Sequence, residues 1–213
     1  MSLKTLTITN PPVNQWFDWV VPGEKSLAVV DMNIFNRGWD TSIFAMALAD
    51  KNRVEMSSPT GLTATKEGLH SGGVNSYSYR VSAVDDSGET LASSAVLIEN
   101  CLNDFTDTDY VSLSWNAISG ANKYRVYGRT SGTEQLLVEV ETNAYNDKME
   151  DYLGGNSALY NTTQLKARLW EGELSAKTAL EVTGRKFLLD SNTKIIAYVD
   201  ENYVDLVAFG ADA

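Results

Sequence analysis

The sequence is poor in three kinds of residue that carry chemistry or covalent stability. It has one cysteine, Cys101, and one histidine, His70, in 213 residues. A single cysteine cannot form an internal disulfide, which fits synthesis in a reducing cytoplasm and leaves stability to packing and assembly. One histidine is too few for a multi-histidine metal site, and His70 lies in the Gly/Ser-rich stretch GLHSGG with no marked partners for a triad. Positive charge is also short: 17 Lys and Arg stand against 28 Asp and Glu, a formal charge of −11. Such a surface repels a phosphate backbone, so nucleic acid is not expected as a partner. No apolar run approaches the roughly 18 to 20 residues that span a bilayer, so no integral membrane segment is expected. The N-terminal MSLKTLTITNPPVNQWFDWV lacks the continuous apolar stretch of a secretory signal, so export by that route is not expected.

Helical periodicity is scarce as well, and almost every patterned segment repeats every two residues, as a half-buried strand does. Ala28, Val30, Met32 and Ile34 share a face, Asn36-Arg37-Gly38 supplies a turn, and Phe44, Met46 and Leu48 alternate afterwards; this predicts a hairpin. Toward the C-terminus, Leu165, Ala167 and Leu169 alternate. Ile195, Ala197 and Val199 follow the turn Asp190-Ser191-Asn192, and Val204, Leu206 and Ala208 follow Asp200-Glu201-Asn202. These predict three strands, and four if 182–189 also pairs.

Between these flanks lies a different kind of segment, bracketed by SSPTG (57–61) and DYLGGNSALYNTT (151–163), both rich in turn formers. Tyr77, Tyr79, Val81 and Ala83 form one predicted strand face, followed by the turn Asp85-Asp86-Ser87-Gly88. Val111, Leu113 and Trp115 form a second, and Tyr124 and Val126 a third after Ser119-Gly120-Ala121. A Trp followed nine residues later by Tyr-x-Val places a core aromatic on one strand and its packing Tyr on the next. Residues 57 to 148 thus resemble a fibronectin type III or immunoglobulin-like module, with Pro59-Thr60-Gly61-Leu62 as first strand and Asn143 to Asp147 as last. One departure stands out: YSYRVSAVDDSGETLASSA resembles the last two strands of such a module, yet precedes the Trp strand.

An isolated hairpin is marginal in water, so the flanks are expected to pair with each other. The expected fold is all-β: residues 1–56 plus 149–213 as a discontinuous, jelly-roll-like β-sandwich, with residues 57–148 as an inserted fibronectin type III/Ig-like sandwich. Insertion at a loop tip costs little loop-closure entropy.

The flanks carry a second resemblance. Val20-Val21-Pro22-Gly23-Glu24-Lys25, the Asn36-Arg37-Gly38 turn and the closing RKFLLDSNTKIIAYVDENYVDLVAFG resemble small β-sandwich proteins among the structural genes of tailed bacteriophages. That resemblance implies a non-enzymatic virion protein made in the bacterial cytoplasm, on tail, baseplate or fibre, neck or capsid. Its partners would be other virion proteins and further copies of itself, with the central segment projecting outward.

Candidate sites are few. Nothing marks any two of the 28 carboxylates as a glycosidase pair, and Cys101 has no base motif beside it, so no catalytic activity and no obligate cofactor are expected. Asp104, Asp107 and Asp109 cluster hard oxygens that suit Ca²⁺, although the segment lacks the glycine and terminal Glu of an EF-hand loop, and a solvated acidic turn is the plainer reading. In Trp16-Phe17-Asp18-Trp19 at least one ring must leave any single sheet face; core packing, a subunit interface and a glycan-stacking surface are the three readings. Trp39 and Trp170 invite the same order. A host-surface carbohydrate is therefore the alternative partner.

Overall fold

The computed structural model describes residues 3–20, 22, 27–182, 187–190, 192–201 and 203–212. Among them there are sixteen strands, no helix and four antiparallel sheets, so the chain is all-β. It divides into two compact units: Met1–Val54 with Leu165–Ala213, and Glu55–Gln164.

The first unit contains β1 (Leu3–Ile8), β2 (Gln15–Val20), β3 (Leu27–Asn36) and β4 (Ser42–Asp50) before the second unit. After it come β12 (Leu165–Leu174), β13 (Ala179–Val182), β14 (Phe187–Leu189), β15 (Thr193–Val199) and β16 (Val204–Asp212). One sheet has the order β1-β16-β3-β13, with β14 also on β3; the other has β12-β4-β15-β2. Consecutive strands cross from one sheet to the other, except for β4 and β12, which are neighbours, and the short β13 and β14, which share an edge of β3. Counting that short pair as one, these are the eight strands of a jelly roll. The two chain halves interleave, as in β1 on β16 with Leu3 opposite Ala211. Both sheets feed one core: Met32, Ile34, Leu206 and Ala208 from the first meet Trp19, Phe44, Met46, Ile195, Ala197 and Val199 from the second.

Several expectations are corrected by this arrangement. β3 and β4 are not a hairpin, because they lie in opposite sheets and face each other across the core; Asn36-Arg37-Gly38 starts a crossover. The even face of β3 is interrupted by a bulge at Val30, where Val29 pairs with Gly210 and Asp31 with Phe209. One extra residue flips the phase, so Leu27 and Val29 join Met32 and Ile34 in the core. Two register shifts in β12 likewise separate Leu165 from Leu169: Leu165 lies with Ala47, Ala49 and Ile196, whereas Leu169 packs on the main core. The expected fourth strand is two short ones, β13 and β14, on either side of 183–186, which lie outside the described residues. Val21 and Gly23-Glu24-Lys25 of the N-terminal motif, Arg185 and Lys186, and the turn residues Ser191 and Asn202 also lie outside them, as do the side chains of Ala28 and Val30.

The second unit contains β5 (Thr63–Glu67), β6 (Asn75–Val84), β7 (Val96–Cys101), β8 (Tyr110–Ser114), β9 (Lys123–Arg129), β10 (Gln135–Val140) and β11 (Ala144–Asp147). They form a three-stranded sheet, β11-β8-β5, and a four-stranded one, β10-β9-β6-β7. Tyr79, Val81, Ala83, Val111, Leu113, Trp115, Tyr124 and Val126 share one core, and the rings of Trp115 and Tyr124 meet edge-on at 5.4 Å. The turn after β6 is closed by Asp85, whose Oδ1 accepts the amides of Ser87 and Gly88 at 2.8 Å each. The segment 77–95 that resembles the last two strands of a module supplies only one, β6, which pairs with β7 and β9; its second half, 85–95, makes no strand beyond an isolated bridge of Glu89 to Val84, and β7 begins just after it. The expected first strand at Pro59 to Leu62 is absent: Gly61 has φ +68°, outside the strand region, and β5 starts at Thr63.

The boundary expected at 148 lies instead at Gln164, because the stretch 149–164 is bonded to the central strands. Leu153 N and Gly154 N donate to Leu136 O, and Leu136 N donates to Gly155 O. Thr162 and Glu89 exchange backbone and hydroxyl bonds, at 2.8 Å from Thr162 N to Glu89 O and from Glu89 N to Thr162 Oγ1. Gly88 allows that approach: a Cβ there would lie 2.1 Å from Thr162 Oγ1.

Candidate functional site

In the first unit the antiparallel registers bring four connections to one end: 9–14, 37–41, 175–178 and the one after β15, described at 200, 201 and 203. Backbone bonds join them, from Asn36 N to Thr178 O (2.9 Å), Arg37 N to Tyr203 O (2.8 Å) and Asn14 N to Val199 O (2.8 Å). Asn36, almost fully buried, organises the crossover after β3. Its Nδ2 donates to Asp40 O and Leu174 O at 2.9 Å each, and its Oδ1 accepts Gly38 N at 2.9 Å. Gly38 fits because a Cβ would stand 3.2 Å from Tyr203 Cβ and 3.1 Å from Asn36 Oδ1. The Asn-Arg-Gly triplet thus serves a tight inter-sheet turn rather than a hairpin.

On this frame sit the exposed groups. Trp39 is 84% exposed, Tyr203 54% and Phe35 40%. The Lys177 ammonium lies 4.2 Å from the Trp39 ring centroid, within cation–π range, and donates to Arg37 O. Arg37 is held in turn by Asp205, with Nε to Oδ2 at 2.5 Å, and by Asn10 Oδ1 at 3.1 Å. Between the end of β3 and the start of β13 lies an open cleft of about 540 Å³ lined by Phe35, Asn36, Arg37, Lys177, Thr178 and Ala179.

The other candidate aromatics are elsewhere and more covered. In β2, a register shift opposite Ile195 and Ile196 lets both Trp19 and Val20 enter the core, with Phe17 packed against it. Trp170 is half-buried with its ring 5.5 Å from Phe44. Trp16 faces the other side of its sheet, against Ala47, Ala49, Leu165 and Ile196, with the Tyr198 ring at 6.0 Å and the Arg53 guanidinium 5.8 Å from its centroid. Of the five candidates, Trp39 alone is exposed.

The three candidate calcium carboxylates are engaged separately. Asp107 pairs with Lys148 Nζ at 2.8 Å, and Asp104 accepts a bond from Asn103. Asp109 Oδ1 accepts the amides of Leu69 (2.8 Å) and His70 (3.0 Å), while its Oδ2 accepts the hydroxyls of Thr106 and Thr108. The His70 amide leads the bonds that hold the Asp109 carboxyl below its usual range. Among the described residues no three His, Cys, Asp or Glu side chains are placed to hold a metal. His70 is buried, its Nε2 3.1 Å from Tyr110 O and its ring edge-on to Phe105. Cys101 is fully buried in the second core, and burial pushes its thiol pKa up, away from the reactive thiolate.

Polar groups also lie deep in the second unit. Arg129 makes a two-pronged pair with Asp147, at 2.8 and 2.6 Å, and Tyr79 donates to the same carboxylate at 2.7 Å. Glu89 accepts from Ser82, Tyr127 and Arg125, the last at 2.6 Å. Their donors and acceptors are mutually matched, which is the signature of structural networks.

Sequence patterning singled out Trp39 but not Lys177, Phe35 or Tyr203. Positions 37–39, 177 and 203 become neighbours through crossovers between sheets, which a two-residue period does not encode. The chain matches no protein-family model, no curated protein and no solved structure.

Proposed function

We propose that this protein is a non-enzymatic structural component of a tailed-bacteriophage particle, docking through its first unit and carrying the second as a displayed module, in several copies. The observation that carries this reading is the strand order β1-β16-β3-β13 over β12-β4-β15-β2, a jelly roll built from both ends of the chain. Viral capsid domains use this plan, and the seven-stranded unit stands in the single connection between β4 and β12. The short motifs of the flanks point the same way. Lectins share the jelly-roll plan as well. A second reading, a module that binds host-surface carbohydrate, draws on the exposed Trp39.

Immunogold microscopy of purified particles from the source, with antibody raised against residues 55–164, tests the first reading. Regular gold on head, neck or tail is the expected result. Gold-free particles, with the protein left in the soluble lysate, would remove the virion assignment.

A further inference from the structure

The loop end of the first unit has features that the fold does not require. We propose that it is a saccharide-binding surface in which Trp39 stacks on a sugar ring through the face that Lys177 leaves open, beside the cleft between β3 and β13; this rests on the carbohydrate reading above.

Trp39 is the main reason. The crossover is shaped by the carboxamide of Asn36 and by the close approach at Gly38, so its course does not depend on a large ring at position 39. Yet an indole stands there with 84% of its surface in water. A rigid, exposed aromatic surrounded by polar groups suits a ligand with one apolar face and a rim of hydroxyls. The C–H face of a pyranose carries partial positive charge and is attracted to the negative π-face, the same electrostatics that draw the Lys177 ammonium to within 4.2 Å of the ring centre.

The polar half of the site is beside it. Lys177 donates to Arg37 O, which keeps its ammonium over one face of the Trp39 ring and leaves the opposite face to the sugar. Its own backbone has φ +56°, a conformation rare for a lysine, so the loop holds this residue in a defined place. Arg37 is fixed by Asp205 and Asn10 and lines the cleft with Phe35 and Thr178. Side chains ordered before binding lose less entropy when a ligand arrives.

The test uses the full chain on a printed panel of neutral oligosaccharides, uronic-acid oligosaccharides and purified bacterial surface polysaccharides, followed by calorimetric titration of any that bind. Saturable binding is expected for at least one, weakened tenfold or more by W39A, partly restored in W39F and weakened less by K177A, with unfolding temperatures unchanged. Loss of affinity with added salt would identify an acidic sugar; salt independence would identify a neutral one. No saturable binding across the panel, or binding equal in W39A and wild type, would overturn the proposal. If W39A instead abolishes self-association or incorporation into particles while no sugar binds, this end is a protein interface and the saccharide site is wrong, with the virion reading intact. Sugar binding by a protein that never labels particles would support the saccharide site and remove the virion reading.

Discussion

The two units bury different chemistry. The core of the first is hydrocarbon and aromatic, from Val20 and Ile34 to Phe44, Ile195 and Leu206, and Asn36 does its work at the loop end. The second buries Arg129 against Asp147 and Tyr79, and sets nearly buried Glu89 and Glu134 among Ser82, Tyr127, Arg125, Ser78 and Arg80. Removing a methylene from the first core costs in proportion to the packing that the methylene supplied. Removing one member of a polar network strands its partner in a low-dielectric interior, a penalty set by what is left behind. The first unit should therefore respond smoothly to substitution, and the second abruptly.

Excision gives the largest effect. Replacing residues 55–164 by a short Gly/Ser linker should leave an all-β protein with one cooperative thermal transition, that of the first unit. An unfolded product by circular dichroism and proteolysis would mean that the flanking strands need the second unit to fold. Next come two substitutions that divide the transitions. Asp147→Ala leaves the Arg129 guanidinium buried without its carboxylate and should cost about 3–5 kcal/mol in the second unit alone. Phe44→Ala should cost a similar ~3–5 kcal/mol through its cavity, in the first unit alone. If calorimetry shows either change moving both transitions equally, the units are not energetically separate.

Acid sharpens the same contrast with a smaller effect. Burial works against the ionised Glu134, but the hydrogen bonds from Ser78 and the Gly132 amide, with the nearby Arg80 charge, prevail, and its pKa is lowered. Bonds from Lys123 and then Arg125 lower that of Glu139. A carboxylate with a depressed folded-state pKa favours folding above the ordinary value of 4.5 and loses that contribution as pH falls through the folded value. The second unit's midpoint should accordingly drop as pH is lowered below 4.5, and Glu134→Gln should reduce the drop. A midpoint independent of pH in that window would contradict the role given to these pairs. The smallest effect is expected at Trp39, where an exposed ring contributes little to folding: W39A should shift stability by no more than about 0.5 kcal/mol by urea denaturation.

Strand-forming segments were plain in the chain wherever alternation ran unbroken, as in Tyr79-Val81-Ala83 and Ile195-Ala197-Val199, and so was the Trp115–Tyr124 contact. Alternation says that a strand has an inner face. It does not say which sheet the strand joins, so β3 and β4 read as a hairpin when they oppose each other across a core. Nor does it mark bulges, and a single extra residue at Val30 or near Trp19 exchanged inner and outer faces. The limit of the second unit was misplaced because 149–164 has little apolar period. It is held by backbone bonds to Leu136 and Glu89, which no side-chain pattern announces.

For the candidate site the division is similar. Aromatic content pointed to Trp16, Phe17, Trp19, Trp39 and Trp170 alike, since a ring's identity is local information. Burial is not local: the bulge in β2 and the opposing sheet drew Trp19 inward, while a turn built on Asn36 and Gly38 turned Trp39 out. By itself the sequence determined an all-β chain with acidic surface charge and a central segment that interrupts its flanks, because composition and two-residue periodicity act over a few neighbours. Tertiary structure alone decided the jelly-roll order and the meeting of Trp39 with Lys177, because both depend on pairing between strands far apart in the chain.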